Sequence, residues 1–256
     1  MSANKPLALL NRWLVLVLEI ASSVVFISPS VAAPTTVNCG TSGTFSVETN
    51  TVQSNSSCAG MAIVPAGVTS IAAQAFKSNT SLTGVTLPNG LLTIGSEAFY
   101  GTGLTNVTIP SSVTNLSGAF YRNDALQSVA FQLPSSLTSI PANSFRTTSQ
   151  LLKTIAIPEG VTTIGSLAFA TPGLSVVKMP STIVSIDNSG SSAFLGAKLT
   201  CIVNASGNTV VANYPFPNNP RIVSNENDCY SALTVKFESN GGTAVTNASV
   251  NVGSAL

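Results

Sequence analysis

The sequence predicts a repeat solenoid that is dominated by short parallel β-strands and turns and contains little helix. Six units in series each begin with an aliphatic residue or methionine followed by proline, and each ends in Ala-Phe or Ser-Phe. Their prolines recur at intervals of 22 to 24 residues, and a strand-like segment with alternating aliphatic residues follows each unit. One such unit cannot bury its own apolar face, so it must stack on its neighbours.

Composition limits the chemistry that this chain can perform. Of its 256 residues 44% are hydrophobic and only 7% are charged, with 10 basic residues, 9 acidic residues and no histidine. A basic arm for nucleic acid is therefore excluded, as is an acidic tail. The remaining polar residues are mostly Ser, Thr and Asn, which predicts a nearly neutral surface.

Residues 1–32 are predicted to be a signal peptide. Basic residues precede an apolar run, Trp13–Ile27, which Glu19 interrupts, and small residues follow up to the expected cleavage after Ala32. A membrane anchor is the alternative, but this run is shorter than the roughly 20 apolar residues that a membrane span requires. We therefore expect a secreted or cell-surface protein with no transmembrane span in the mature chain.

The repeats span residues 64–204, and each position within a repeat is expected to have its own structural role. Segments such as LTGVTL and LKTIAI place alternate aliphatic residues on one face of a strand. Proline ends that strand because it has no amide hydrogen, and VTxI supplies a second short extended piece. The phenylalanines of successive units are expected to stack as a ladder in the core. They are Phe76, Phe99, Phe120, Phe145, Phe169 and Phe194.

The pattern LPxxVTxIGxxAFxxxxxLxxVxLP resembles the BspA-like class of leucine-rich repeats found in bacterial surface and secreted proteins. The resemblance implies a curved solenoid with protein-binding or adhesive roles and no catalytic residues. The sixth unit departs from the pattern because DNSGSSAF lengthens it, and because its strand ends in Asn204 where an aliphatic residue belongs. We therefore expect an irregular sixth coil.

The two ends of the array are predicted to be capped. Residues 33–63 precede the first unit as an N-terminal cap. Residues 205–229 follow the last unit and are rich in proline and asparagine, with YPFPNNP at their centre. This composition predicts a loop-like C-terminal cap that covers the open edge of the last coil.

The four cysteines agree with an exported chain, where disulfides persist. Sequence alone permits three pairings. We favour Cys39 with Cys58 and Cys201 with Cys229, because each pair closes a short loop at one end of the array. A metal site is disfavoured because these pairs lie far apart in the sequence and the chain has no histidine.

Residues 230–256, with the stretch LTVKFESNGG, resemble the opening of the internalin-type B repeat, a small β-rich module of bacterial surface proteins. This span is shorter than the roughly 40 residues below which a domain needs extra support to fold alone. We therefore interpret it as a truncated module and expect the full-length chain to continue.

A parallel β-helix enzyme that cleaves carbohydrate is an alternative, since its coils have a similar length. Such chemistry requires carboxylates gathered on one face. The acids of the repeats instead occupy different slots of different units, and no histidine is present for a Ser-His or Cys-His pair. These acids are Glu97, Asp124, Glu159 and Asp187. We predict no catalytic residues and no cofactor.

The residue after each phenylalanine defines a candidate binding surface. Stacking brings equivalent positions to about 5 Å spacing, so two tyrosines lie between two cations, all expected to face solvent. The four residues are Lys77, Tyr100, Tyr121 and Arg146. Aromatic and cationic groups together suit a glycan or an acidic peptide. The alternative is a solvated column of long side chains without a ligand.

A purely structural role is the third possibility. The VTxI slots align threonine and serine into a nearly uncharged row of the kind found on ice-binding solenoids, but Leu92, Asn115 and Val184 interrupt it. The high β propensity of threonine explains this row more simply. The function favoured by the sequence is adhesion or binding of a protein or surface glycan.

Overall fold

The computed structural model describes residues 34–54 and 56–230, together with the backbone of two further strands at Leu233–Val235 and Ala248–Val250. Within these ranges the chain is a solenoid of stacked short strands, so the predicted fold class is confirmed. The predicted signal peptide lies outside the described residues, as do the side chains of the predicted B-repeat opening.

The structure contains eighteen described strands, most of them only two to five residues long. In chain order they are β1 (Thr35–Asn38), β2 (Thr44–Glu48), β3 (Thr51–Val52), β4 (Gly60–Ile63), β5 (Ser70–Ile71), β6 (Leu82–Thr86), β7 (Thr93–Ile94), β8 (Asn106–Ile109), β9 (Ser128–Phe131), β10 (Ser139–Ile140), β11 (Thr154–Ala156), β12 (Thr163–Ile164), β13 (Val176–Lys178), β14 (Ser185–Ile186), β15 (Cys201–Val203), β16 (Arg221–Val223), β17 (Leu233–Val235) and β18 (Ala248–Val250). Two short helices are described, α1 (Thr209–Asn213) and α2 (Asn227–Tyr230).

The strands of the repeats form two columns that run along the solenoid. The long-strand column contains β4, β6, β8, β9, β11, β13, β15 and β16, and the short-strand column contains β3, β5, β7, β10, β12 and β14. Where neighbours within a column pair, they pair in parallel, as Asn106 with Ser128 and Thr154 with Val176 show. Successive coils therefore place equivalent residues side by side.

Pairing in the long-strand column is interrupted. It forms three ladders, namely β4 with β6, β8 with β9, and the four strands β11, β13, β15 and β16. The strands β9 and β11 belong to different ladders although they are consecutive in the column. The same holds for β6 and β8, so the strand face is divided both between the first and second coils and between the third and fourth coils.

The six phenylalanines form the predicted ladder in the core. Each ring is at most 1% exposed, and successive ring centroids lie 5.2 to 5.6 Å apart with interplanar angles of 2 to 16°. The spacing matches the distance between neighbouring strands, about 4.8 Å, closely enough for stacked rings and paired strands to share one repeat.

Rings from the two caps close the ends of this ladder. Phe45, in β2, contacts Phe76 at 5.6 Å with an interplanar angle of 64°. Phe216 and Tyr214 contact Phe194 at 5.4 and 6.1 Å. Tilted and edge-to-face contacts suit a ring whose outer face would otherwise meet solvent, because they bury that face without continuing the stack.

A left-handed residue lies two positions before the phenylalanine in five of the coils. These residues have φ between 55 and 67° and are Gln74, Glu97, Gly118, Asn143 and Leu167. Only glycine adopts this region without cost, and asparagine tolerates it better than most residues. The turn therefore strains Leu167 more than it strains Gly118 or Asn143.

The sixth coil is more regular than predicted. Its strands β14 and β15 pair in register with the preceding coil. Asn204 is buried, and it replaces an aliphatic contact with hydrogen bonds: its Nδ2 donates to the Asn208 carbonyl at 3.0 Å and its Oδ1 accepts from the Asn208 amide at 2.9 Å. The extra residues are accommodated in a turn where Asp187 accepts from the amide and hydroxyl of Ser189.

The C-terminal cap is more ordered than the predicted loop. Asn208 caps the N-terminus of α1, and β16 pairs in parallel with β15, which extends the long-strand column by one strand. The Tyr214 hydroxyl donates to the Asp187 carbonyl at 2.7 Å and fixes this segment to the sixth coil. The sequence predicted a loop here because a helix and a strand this short, separated by prolines, show no clear hydrophobic periodicity.

Two disulfides join the four cysteines as Cys39–Cys58 and Cys201–Cys229, with sequence separations of 19 and 28 residues. The first bond closes a loop within the N-terminal cap, and the second joins β15 of the last coil to the C-terminal cap. No helix within the described ranges is long and apolar enough to cross a membrane.

Replacing one ring of the ladder should destabilise the fold strongly. We expect Phe120→Ala to lower the free energy of unfolding by about 3 to 5 kcal/mol, because it opens a cavity between two rings. Thermal or urea unfolding measures this change. Thr108→Ala, on the exposed face of β8, is the control. Equal losses for the two variants would contradict the ladder as the main source of stability.

Relieving the strained turn should have the opposite effect. We expect Leu167→Asn to raise the free energy of unfolding by about 1 kcal/mol, because asparagine adopts a positive φ more readily than leucine. The reverse change, Asn143→Leu at the equivalent position of the preceding coil, should lower stability by at least this amount, because it also removes the hydrogen bond that Asn143 Oδ1 accepts from Arg146. A loss of stability in Leu167→Asn would show that leucine packing outweighs the backbone strain.

Candidate binding surface

The four residues that follow the phenylalanines of the first four coils form a continuous row, here called the cation–tyrosine column. The Lys77 ammonium lies 5.1 Å from the centroid of Tyr100, and the Arg146 guanidinium lies 5.3 Å from the centroid of Tyr121. The two tyrosine rings contact each other at 5.2 Å with an interplanar angle of 79°. Each cation can therefore interact favourably with a ring face.

The column is less exposed than the sequence predicts. Lys77 is exposed, but Tyr100, Tyr121 and Arg146 are half-buried. Three of the four side chains are therefore only partly exposed to solvent, whereas the sequence led us to expect four fully solvent-facing ones. The reason is mutual coverage: stacking on neighbouring coils buries part of each long side chain against the next one.

Arg122 joins the column although sequence reasoning did not select it. Its Nη1 donates to the Tyr100 hydroxyl at 3.3 Å, and its guanidinium lies 6.0 Å from that ring. This contact raises the pKa of Arg122 above its usual value, so the group stays charged. Arg122 has φ 59°. Gly101, the equivalent residue one coil earlier, also has a positive φ. A glycine at this position of the repeat was the feature of the sequence that indicated a left-handed turn here.

Each acidic residue of the repeats is held by its own partners. Glu97 forms an ion pair with Lys77 at 2.6 Å and accepts from the Gln74 amide. The other three carboxylates accept hydrogen bonds from hydroxyl groups and backbone amides of threonine or serine: Asp124 from Thr147 and Thr148, Glu159 from Ser181, and Asp187 from Ser189. Glu97, Asp124 and Glu159 therefore join neighbouring coils, and Asp187 stabilises a turn within its own coil.

Asp124 is the acid with a perturbed titration. Partial burial alone would raise the pKa of Asp124. Hydrogen bonds from Thr147 and Thr148 and the nearby charge of Arg122 lower the pKa by more than burial raises it, so the net pKa lies below its ordinary value. The ionised form is thus the one that this turn stabilises. Asp124 connects the third coil to the fourth one beside the cation–tyrosine column.

Other chemistries find little support in the described residues. Within those ranges no group of three or more acidic, cysteine or histidine residues could hold a metal ion. The hydroxyl row of the short-strand column is interrupted by exposed aliphatic side chains, with Leu92 47% and Val184 67% exposed. Its hydroxyls also bond to neighbouring coils, as Thr93 does to Ser70 at 2.8 Å.

Stacked short parallel strands, an internal aromatic ladder and a proline after six of the eight strands in the long-strand column together define a leucine-rich-repeat solenoid. The sequence matches the family described as "BspA type Leucine rich repeat region" in six copies, over residues 46–175 and 116–223. The chain therefore belongs to the BspA-type leucine-rich-repeat family. Membership indicates a leucine-rich-repeat surface protein, and the two disulfides fit an extracellular location.

Several solved structures are similar to this chain. A leucine-rich cell surface protein from Faecalibacterium prausnitzii is 21% identical, with a TM-score of 0.29, and the match covers 60% of this chain and 62% of that one. A leucine-rich-repeat protein from Eubacterium ventriosum is 20% identical, with a TM-score of 0.47 and coverage of 64% and 50%. The pneumococcal vaccine antigen PcpA is 15% identical, with a TM-score of 0.44 and coverage of 72% and 46%.

This chain therefore spans less than two thirds of the length of each of these three proteins. At such identities and TM-scores the likenesses carry no argument about ligands. No curated protein sequence matches the chain significantly.

The titration of Asp124 predicts a pH-dependent contribution to stability. Asp124→Asn should destabilise the protein at neutral pH, because it removes a charged acceptor from three hydrogen bonds. Since the folded pKa is depressed, the advantage of aspartate is present above about pH 4 and is lost as the pH falls through the folded pKa. Urea unfolding at neutral and acidic pH measures the difference between the two proteins.

The control for this measurement is Thr108→Ala, which changes no titratable group. Its stability difference from the natural protein should stay constant over the same pH range. A difference between aspartate and asparagine that persists unchanged at low pH would contradict the role assigned to the Asp124 charge.

Proposed function

We propose that this protein is a secreted or surface-displayed binding protein whose ligand surface is the cation–tyrosine column, widened by Arg122. One observation carries the proposal: Lys77, Tyr100, Tyr121 and Arg146 touch in sequence across four coils, although they lie more than twenty residues apart in the chain. They concentrate cationic and aromatic character on an otherwise nearly neutral solenoid.

The contacts within the column favour an anionic ligand. Lys77 and Arg146 lie over the two tyrosine rings, and the rings contact each other, so stacking surface for a sugar is reduced. The hydroxyl groups and guanidinium donors remain for hydrogen bonding. A guanidinium has five N–H donors, and among the described residues the guanidinium groups of Arg122 and Arg146 each donate one hydrogen bond.

The ligand is accordingly a protein segment or surface glycan that carries carboxylate or sulfate groups. Planar guanidinium groups bind such anions bidentately, and tyrosine hydroxyls add donors beside them. Lys77 contributes less, because Glu97 already neutralises it. Binding should therefore depend most on the side of the column formed by the third and fourth coils.

Replacing both tyrosines should weaken binding strongly. Partners are first identified by screening the secreted protein against arrays of glycans and matrix proteins. With any partner found, Tyr100→Ala combined with Tyr121→Ala should lower affinity by about thirtyfold or more, the usual effect of removing a hot spot. The dissociation constant is measured at a temperature well below both unfolding transitions, because half-buried rings also contribute to stability.

Two further variants separate the possible explanations. Tyr100→Phe combined with Tyr121→Phe keeps the ring contacts and tests the hydroxyl groups alone. Thr86→Ala combined with Thr108→Ala alters the exposed strand face and is the control. Binding that survives the alanine pair but is lost in the threonine pair would place the ligand on the strand face and overturn the proposal.

A further inference from the structure

The strand face contains an apolar groove at the interruption between β9 and β11. The groove has a volume of about 700 Å³. Its walls come from three consecutive strands, β9, β11 and β13, and from the turns that follow them. It shares no residue with the cation–tyrosine column, so it does not depend on the function proposed for that surface.

Two local features of the sequence create this groove. The outward positions of β9 and β11 are occupied by Ala130 and Ala156, whereas the same slot holds Thr108 in β8 and Lys178 in β13. In addition, Ser128 lies six residues before the proline of its coil, whereas the equivalent residues Asn106, Thr154 and Val176 lie four before theirs. The small side chains of Ala130 and Ala156 thus leave space at the floor of the groove. The two additional residues before Pro134 lengthen the turn that forms one wall of the groove.

The walls are apolar and partly uncovered. Leu133, in the longer turn, is 72% exposed at the rim, which is the largest exposure recorded for a large hydrophobic side chain in the described residues. Phe131 is half-buried, with its ring against Phe145 at 6.3 Å. Met179 and Val129 are buried deeper in the lining. An exposed leucine beside an apolar groove marks a surface that a ligand would cover.

The two charged residues of the lining differ in their partners. The carboxylate of Glu159 is held by Ser181, whose amide donates at 3.0 and 3.1 Å and whose hydroxyl donates at 2.7 Å. The ammonium group of Lys178 is exposed and forms no ion pair or hydrogen bond with the described residues. Glu159 keeps its negative charge, but its oxygen atoms are already occupied by these three hydrogen bonds, so the donor left for a ligand beside the apolar walls is the Lys178 ammonium group.

We propose that this groove binds a linear amphiphile, namely a medium-chain fatty acid, with its acyl chain on the apolar walls and its carboxylate on Lys178. The volume lies within the range of about 300 to 1,000 Å³ that is typical of small-molecule sites. A sugar fits poorly, because few free polar groups line the groove. A protein partner would need about 800 Å² of complementary surface, and the flat threonine and serine columns around the groove offer it no anchor.

Titration of the full chain with decanoate, below the concentration at which it forms micelles, tests the proposal directly. Isothermal calorimetry or the NMR signal of carboxyl-labelled decanoate reports binding. Decanoate should bind at a single site, and octanoate should bind about tenfold more weakly, because two fewer methylenes are buried. Decyltrimethylammonium has the same chain with the opposite charge and should not bind there.

Three variants locate the site. Lys178→Gln should weaken decanoate binding about two- to fivefold and leave the binding of uncharged decanol unaffected, since only the head-group contact changes. Lys153→Gln is the matched control, because Lys153 is also exposed but does not line the groove. Ala156→Leu fills the floor and should abolish the binding of both decanoate and decanol.

Several outcomes would overturn the proposal. They are the absence of decanoate binding at millimolar concentration, equal binding of decyltrimethylammonium, and decanoate binding that is the same in Lys178→Gln and Lys153→Gln. Binding that Ala156→Leu leaves unchanged would place the ligand elsewhere and would overturn it as well. The alanine at position 156 is exposed in the absence of ligand, so the leucine variant is expected to fold.

Discussion

Stacking of the six core phenylalanines is the interaction on which the other contacts of this solenoid depend. The rings repeat every 5.2 to 5.6 Å, and this distance becomes the spacing of every column on the surface. Because each coil is too small to bury its own apolar residues, the two faces of each ring are shielded by the rings before and after it. Rings from both caps end the stack, which explains why the caps bring aromatic residues to the first and last coils.

Buried polar side chains complete the coils where the strands leave backbone groups without partners. Asn123 donates its amide to the Phe99 carbonyl at 2.7 Å and accepts from the Thr102 amide at 3.1 Å. Thr171 donates to the Phe145 carbonyl at 2.8 Å in a comparable position two coils later. A buried carbonyl without a partner is costly, so neutral amides and hydroxyls suit these sites better than charges. The neutral side chains at these positions thus satisfy the backbone without burying a charge.

The same stacking produces two surfaces with different chemistry. The cation–tyrosine column arises where long side chains follow four consecutive phenylalanines, and each side chain partly covers the next one. The groove arises where regular stacking fails: β9 and β11 are not paired, and alanines replace larger residues in the outward slot. In this solenoid, regular stacking of coils produces a continuous surface, and a local irregularity in the stacking produces a concave site.

The sequence by itself determined the solenoid, the core ladder and the columns, because a period of 22 to 24 residues leaves one way for identical apolar slots to be buried. It also placed Lys77, Tyr100, Tyr121 and Arg146 next to one another. Only the tertiary structure decided how exposed those residues are, that Arg122 turns back to Tyr100, and that the final cap contains α1 and β16. These outcomes depend on backbone dihedral angles and on contacts between coils, which the residue pattern of a single repeat does not specify.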